Sequence, residues 1–115
     1  MTQQIYVSYA EFWPDYLRAH SKPLTRSIHY AGTAISALLV VVFVATSDSR
    51  FLLPALVTPY AFAWTSHMLV EHNQPASFKH PLWSVLSGAR MFALWLAGKL
   101  RPELLAAGIP DDQAI

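Results

Sequence analysis

The sequence contains no cysteine and few charged residues, and both absences exclude classes of protein. Without cysteine there can be no disulfides, thiolate zinc sites or cysteine nucleophiles. Only 13% of the 115 residues are charged, whereas an ordinary soluble domain has about 25%. The formal net charge of +1 gives no electrostatic basis for binding nucleic acid. The first 28 residues lack a continuous apolar core, so we do not expect a cleavable signal peptide.

Several catalytic motifs are missing as well. The four glycines are scattered and form no phosphate-binding loop. Ser66 precedes His67 without the strand-turn-helix context of a serine hydrolase, so no catalytic triad is predicted. The order His67, Glu71, His72 does not match the His-Glu-x-x-His pattern of zinc proteases. Any chemistry must therefore use histidines in another arrangement.

Two long apolar runs contain no charged residue at all. They are Tyr30 to Thr46 and Phe51 to Val70, and the polar tetrapeptide 47–50 joins them. Each run has about 17–20 residues, which is the length of an α-helix that crosses a bilayer. The pattern predicts a membrane hairpin of two spans. A core hairpin in a soluble helical oligomer is the alternative.

The flanking segments predict further helices. Residues 5–19 carry an aromatic stripe at helical spacing, typical of a helix at a membrane interface or of an ordinary packing helix. Leu82 to Leu100 forms a last helix that Arg90 interrupts, and residues 101–115 a short helix followed by loosely held chain. The expected fold is all-α, an integral membrane bundle in a single domain, 1–115.

The basic residues predict how the hairpin is oriented. Of eight lysines and arginines, Arg50 alone lies at the turn, and the others lie on the side of the open ends. The positive-inside rule then places both termini and the open end in the cytoplasm.

Polar residues at the open end are candidate metal ligands. His29 lies about 19 residues before the turn and His67 about 18 after it, which puts both imidazoles roughly 28 Å from the turn. Glu71 follows His67 by four residues, one helical turn. With His20 these residues form a set that suits Fe(II), Zn(II) or Mn(II). The alternative is that the histidines are solvated residues at a membrane boundary.

Four segments resemble the membrane-protein family of the fungal 2-hydroxy-palmitic acid dioxygenase, whose bacterial members long stood as a domain of unknown function. The likeness covers roughly residues 8–100. The segments are Phe12-Trp-Pro-Asp-Tyr-Leu-Arg-Ala-His20-Ser-Lys-Pro, Arg26-Ser-Ile-His29-Tyr-Ala-Gly-Thr33, Tyr60-Ala-Phe-Ala-Trp-Thr-Ser-His67 and Glu71-His-Asn-Gln-Pro75-Ala-Ser-Phe78-Lys-His-Pro81-Leu-Trp83-Ser.

The resemblance implies an Fe(II)-dependent α-oxidation in which a long-chain 2-hydroxy fatty acid and O2 give an acid one carbon shorter. With the two apolar runs and the basic residues, the expected location is a bacterial inner membrane, multi-pass, with the site on the cytoplasmic side and in contact with membrane lipid, and an oligomer is left open. The matching positions for iron ligands are His20, His29 and His67. The fourth ligand stays open between Glu71 and the two histidines at positions 72 and 80, where this chain departs from the family pattern.

Position suggests roles for other polar residues near the ligands. Arg26 or Arg90 is expected to pair with the substrate carboxylate, and Asn73 to hydrogen-bond a ligand or the substrate hydroxyl. Two other functions remain open. One is a non-enzymatic membrane scaffold or lipid-binding protein, and the other is a zinc hydrolase, since ligand type alone does not select the metal.

Overall fold

The computed structural model describes Tyr6 and residues 8–115, which form helices and loops without a β-strand. Residues 1–5 and 7, where the predicted N-terminal helix would begin, lie outside the described residues. The α-helices are α1 (Tyr9–Arg18), α2 (Pro23–Thr46), α3 (Leu52–Ser66), α4 (Pro81–Leu96) and α5 (Leu100–Ala106). A π-helical turn, His67–Glu71, continues α3, and short 3-10 turns lie at Ser49–Phe51, Ala76–Phe78 and Asp111–Gln113. The all-α prediction is confirmed.

Proline residues begin two of the helices, and polar side chains form the turn between α2 and α3. Pro23 and Pro81 occupy the first position of α2 and α4, where the missing N–H costs nothing. At the end of α2, Ser47 takes the left-handed conformation, with φ of 54°. The Asp48 side chain then accepts a hydrogen bond from the Arg50 amide, which starts the next turn. The chain therefore reverses at the predicted tetrapeptide.

Helices α2 and α3 pack closely as an antiparallel pair. A Cβ built on Gly32 would lie 2.7 Å from Cβ of Phe62, so the helices meet where one of them has no side chain. Farther towards the turn, the Ser36 hydroxyl donates to the Ala55 carbonyl at 2.6 Å. The helical hairpin thus has the predicted pairing.

The packing of α2 against α3 does not by itself show that both helices cross a membrane. Among the described helices, α2 has the length and composition to cross a membrane. In the second predicted span, α3 has 15 residues and the five residues of the π-helical turn continue it. The two-span membrane hairpin stays a prediction.

The buried core lies at one end of the molecule, around α1 and α5. Arg18 there donates to the Ala107 carbonyl, which joins α1 to the segment after α5. The buried apolar residues are Phe12, Trp13, Tyr16, Leu17, Tyr30, Met91, Leu100, Leu104, Ala107, Ile109 and Ala114. The prediction of a loosely held tail is wrong, because Ile109 and Ala114 are only 4% and 1% exposed. The tail packs because these apolar side chains fill the space beside α1.

Candidate metal site

Three histidines from separate elements meet at the open end of the hairpin. His20 lies in the loop between α1 and α2, His29 in the second turn of α2, and His67 at the start of the π-helical turn. His20 and His67 are buried, with 0% and 2% of their surface exposed. One nitrogen from each ring lies within 4.8 Å of the other two. This placement agrees with the prediction that His29 and His67 lie at the same distance from the turn.

The distances between these nitrogens suit a common metal ion. Nε2 of His20 lies 3.1 Å from Nε2 of His29 and 3.0 Å from Nε2 of His67. Two nitrogens bound at right angles, each about 2.1 Å from one metal ion, are about 3.0 Å apart. The His20–His29 and His20–His67 pairs therefore have the spacing of two ligands on one metal ion, and the third pair lies within 4.8 Å.

In His20 and His67, the hydrogen bond made by Nδ1 determines whether Nε2 carries a lone pair. Nδ1 of His20 lies 2.6 Å from the Tyr16 carbonyl, which can only accept, so this nitrogen is protonated. Nδ1 of His67 lies 2.7 Å from Oδ1 of Asn73. The Asn73 amide is oriented by its Nδ2, which donates to the Ala19 carbonyl at 3.1 Å. His67 therefore also donates through Nδ1, and both Nε2 atoms are acceptors.

Two facing acceptors leave lone pairs that a bound cation could satisfy. Nε2 of His20 and Nε2 of His67 cannot form a hydrogen bond with each other when both rings are neutral. Burial, and next the neighbouring imidazoles of His29 and His67, lower the pKa of His20 well below its ordinary value. Protonation of this ring is therefore unfavourable at neutral pH, and a bound metal ion would satisfy the lone pairs. The donor set fits a metal.

Glu71, the predicted fourth ligand, lies elsewhere. Its carboxylate accepts hydrogen bonds from the Lys22 amide at 2.7 Å, the Thr25 hydroxyl at 2.7 Å and the Ser21 hydroxyl at 3.1 Å. It therefore caps the first turn of α2. Glu71 ends the π-helical turn that His67 begins, but its carboxylate oxygens are engaged by the start of α2, and it is not a member of the histidine cluster. Its role as a ligand remains a prediction.

The structure does not place the predicted arginines beside the imidazoles. The Arg26 guanidinium is 1% exposed and donates to the carbonyls of His20, at 2.6 Å, and of Ser21, Gln113 and Ile115. Arg90 lies with its guanidinium carbon 4.1 Å from the Trp13 ring centre and forms an ion pair with Glu103 at 3.3 Å. Arg26 instead holds the His20 loop against the C-terminal segment.

The two remaining histidines lie outside the cluster. His72 follows the π-helical turn in the left-handed conformation, with φ of 58°. His80 stacks on the Trp83 ring, with 5.2 Å between the ring centres. Both line a second cavity of about 370 Å³ on the other side of Asn73.

A cavity of about 250 Å³ extends from the histidines into the bundle. His29 and His67 form part of its wall, and the rest comes mainly from α2, α3 and α4. Much of this lining is small or apolar, as at Ala37, Ala63 and Ala89. The site therefore opens into a space that suits an apolar chain.

Comparison with known proteins identifies the family. Residues 6–100 match the family described as 2-hydroxy-palmitic acid dioxygenase Mpo1-like. The chain belongs to this family. No curated protein and no solved structure matches. All three clustered histidines lie within the part that matches the Mpo1-like family, whose description points to a dioxygenase.

Asn73 was expected to hydrogen-bond a ligand or the substrate hydroxyl, and it contacts His67, but sequence reasoning did not find the carbonyl groups that complete the orientation of the rings. The Tyr16 carbonyl and the Ala19 carbonyl are backbone groups, which no side-chain pattern identifies. The π-helical turn was also missed, since its residues fit an ordinary apolar helix.

Proposed function

We propose that this protein is an Fe(II)-dependent dioxygenase that converts 2-hydroxy long-chain fatty acids to acids one carbon shorter. The observation that carries the proposal is the convergence of three histidine nitrogens, two of which are acceptors facing each other at 3.0 Å. Membership of the Mpo1-like family supports the class of reaction and substrate.

Three residues of this chain would hold the iron, and two others would position them. His20, His29 and His67 supply neutral nitrogens, a ligand type that suits Fe(II) and leaves other coordination positions open. The Tyr16 carbonyl and the Asn73 amide hold two of the rings in the required tautomer. Bound Fe(II) would supply the redox chemistry needed to activate O2.

The reaction balances without an external reductant. A 2-hydroxy acid and O2 can give the shortened acid, CO2 and H2O, with cleavage of the bond between C1 and C2. The substrate supplies all four electrons that reduce O2. The cavity of about 250 Å³ beside His29 and His67 would receive the part of the acyl chain next to the head group.

The exposed surface of the hairpin supports a membrane location. Only 17% of the apolar window in α2 is buried within the protein. Large apolar side chains are exposed on all three long helices, such as Leu38, Leu53 and Leu86 at 63%, 68% and 61%. We propose that lipid covers them, with the hairpin crossing a bacterial inner membrane and the histidine end on the cytoplasmic side.

Anaerobic purification followed by metal analysis and O2 measurement tests the activity. We expect about one iron per chain, and O2 consumption with 2-hydroxyhexadecanoic acid that yields pentadecanoic acid by mass spectrometry. Hexadecanoic acid, which lacks the hydroxyl, is the control and should not be consumed. Stoichiometric zinc with no O2 consumption would favour a hydrolase. Absence of any metal would favour a lipid-binding protein.

The absence of cysteine gives a direct test of the membrane topology. Ser49→Cys lies at the turn and Lys79→Cys near the open end, and the sequence has no other thiol. We expect a membrane-impermeant maleimide to label the first variant in cells with a permeabilised outer membrane, and the second only after lysis. Equal labelling of both variants before lysis would contradict the two-span arrangement.

A further inference from the structure

The cavity beside the histidines has no charged residue in its described lining. Its polar members, apart from the two histidines, are neutral hydroxyl groups on Tyr16, Thr33, Ser36, Tyr60, Ser77 and Ser84. A carboxylate in this cavity would therefore meet no lysine or arginine, so the groups available to recognise it, besides a bound metal ion, are neutral donors. This differs from the expected pairing with Arg26 or Arg90.

Two of these hydroxyls, on Ser36 and Ser84, are unsuited to donate to a ligand. Ser36 donates to the Ala55 carbonyl, so its proton is already engaged. Ser77 accepts from the Trp64 indole at 2.7 Å and keeps its own proton. Ser84 has no hydrogen-bond partner in the described part of the chain, but its oxygen is closed to a solvent-sized group. A ligand in the cavity would therefore have to displace neighbouring atoms to reach Ser84.

Of the remaining hydroxyls, on Thr33, Tyr60, Ser77 and Tyr16, the last belongs to a side chain that also packs on a clustered histidine. Tyr16 is 3% exposed and lines the cavity together with His29 and His67. Its ring lies against the His20 imidazole, with 4.2 Å between the ring centres. Within the described residues its hydroxyl forms no hydrogen bond, and that oxygen is not among the fully enclosed polar atoms without a partner. A phenol is protonated at neutral pH and can donate.

A glycine on α4 keeps space in front of this hydroxyl. A Cβ built on Gly88 would have the Tyr16 oxygen as its nearest neighbour, at 3.4 Å. Gly88 also lines the cavity, so the phenol and the glycine face the same space. A larger residue at position 88 would cover the hydroxyl.

We propose that Tyr16 is a substrate-binding residue whose hydroxyl donates a hydrogen bond to the polar head of the 2-hydroxy acid beside the three histidines. This inference rests on the proposed function, because it takes its ligand from that function. Tyr16 would then serve the site twice, through its carbonyl towards His20 and through its hydroxyl towards the substrate.

Tyr16→Phe removes only the hydroxyl and keeps the ring and the carbonyl that orient His20. Tyr9→Phe is the matched control, since Tyr9 is on the same helix but its hydroxyl contacts Ser87 at 2.8 Å and does not line the cavity. Each protein is loaded with Co(II), and 2-hydroxyoctanoate is titrated in while the visible spectrum of the metal is recorded. Metal content is measured first for every variant.

We expect Tyr16→Phe to bind Co(II) fully and to bind 2-hydroxyoctanoate about tenfold more weakly than the unmodified protein. The affinity of Tyr9→Phe for the acid should stay within about twofold of that of the unmodified protein. Gly88→Val, which covers the Tyr16 hydroxyl, should weaken binding of the acid by a similar factor. Equal affinity in Tyr16→Phe and the unmodified protein would overturn the role of Tyr16 while leaving the metal site intact. Failure of the unmodified protein to bind Co(II) or the acid would overturn the proposed function, and this inference with it.

Discussion

The two ends of this molecule are built differently. At one end, α1, α5 and the C-terminal segment enclose a core rich in aromatic side chains, and residues such as Leu17 and Met91 have no exposed surface. At the other end, the α2 and α3 hairpin leaves large apolar residues exposed, with Val44 at 70%. The first end is stabilised by contacts within the protein, whereas the second needs an apolar environment.

The metal site lies where these two regions meet. His20 comes from the packed region, and His29 and His67 come from the hairpin. Arg26 joins the regions, because it begins in α2 and donates to carbonyls of the His20 loop and the C-terminal segment. The three-histidine cluster therefore depends on the contact between the packed region and the hairpin.

The largest expected effect is the loss of the metal site. Replacing His20, His29 or His67 by Ala should each abolish stoichiometric iron and reduce activity at least a hundredfold, since three ligands come from three elements. Metal analysis by mass spectrometry provides the measurement. His72→Ala and His80→Ala are the controls and should keep iron, because neither belongs to the cluster. Full iron in all three cluster variants would contradict the site.

Next in size is the contrast in stability between the two regions. Leu104→Ala removes a side chain that is 1% exposed and should lower the free energy of unfolding by about 2–5 kcal/mol. Leu53→Ala removes a side chain that is 68% exposed and should lower the free energy of unfolding by about 0.5 kcal/mol or less. Denaturant unfolding in detergent measures both. Similar losses would show that the hairpin and the packed end do not differ as described.

A smaller effect is expected from the residue that orients His67. Asn73→Ala removes the acceptor of the His67 Nδ1 proton and should weaken metal binding by about 10–100-fold. Asn73→Asp keeps an acceptor and should recover much of the loss. Competition with a chelator gives the affinities. If alanine and aspartate behaved identically, the hydrogen bond to His67 would not be the cause.

The smallest expected effect is that of replacing Glu71. It distinguishes a helix-capping role for this residue from a role as a metal ligand. Glu71→Ala removes the acceptor at the first turn of α2 and should lower the free energy of unfolding by about 1–2 kcal/mol. Iron should stay at one per chain, as measured by metal analysis. Loss of iron with unchanged stability would instead identify Glu71 as the fourth ligand.

The placement of the histidines was partly predictable. His29 and His67 lie at equal distances from a turn marked by Ser47 and Asp48, so the rise of two antiparallel helices is enough to bring them to one depth. Glu71 was predicted as a ligand because nothing local in the sequence shows that its carboxylate is engaged by Ser21 and Thr25, which lie 50 and 46 residues away along the chain. Arg26 looked available for a carboxylate because its burial depends on the tail, which lies 87 residues further along the chain.

The sequence by itself determined the helices, the reversal at residue 48 and the common depth of His29 and His67, since these follow from local composition and from constant rise per residue. Only the tertiary structure decided which polar groups face the imidazoles. The contacts of Asn73 with Ala19 and of Tyr16 with the cavity join distant segments, and they depend on side-chain packing that no local pattern encodes.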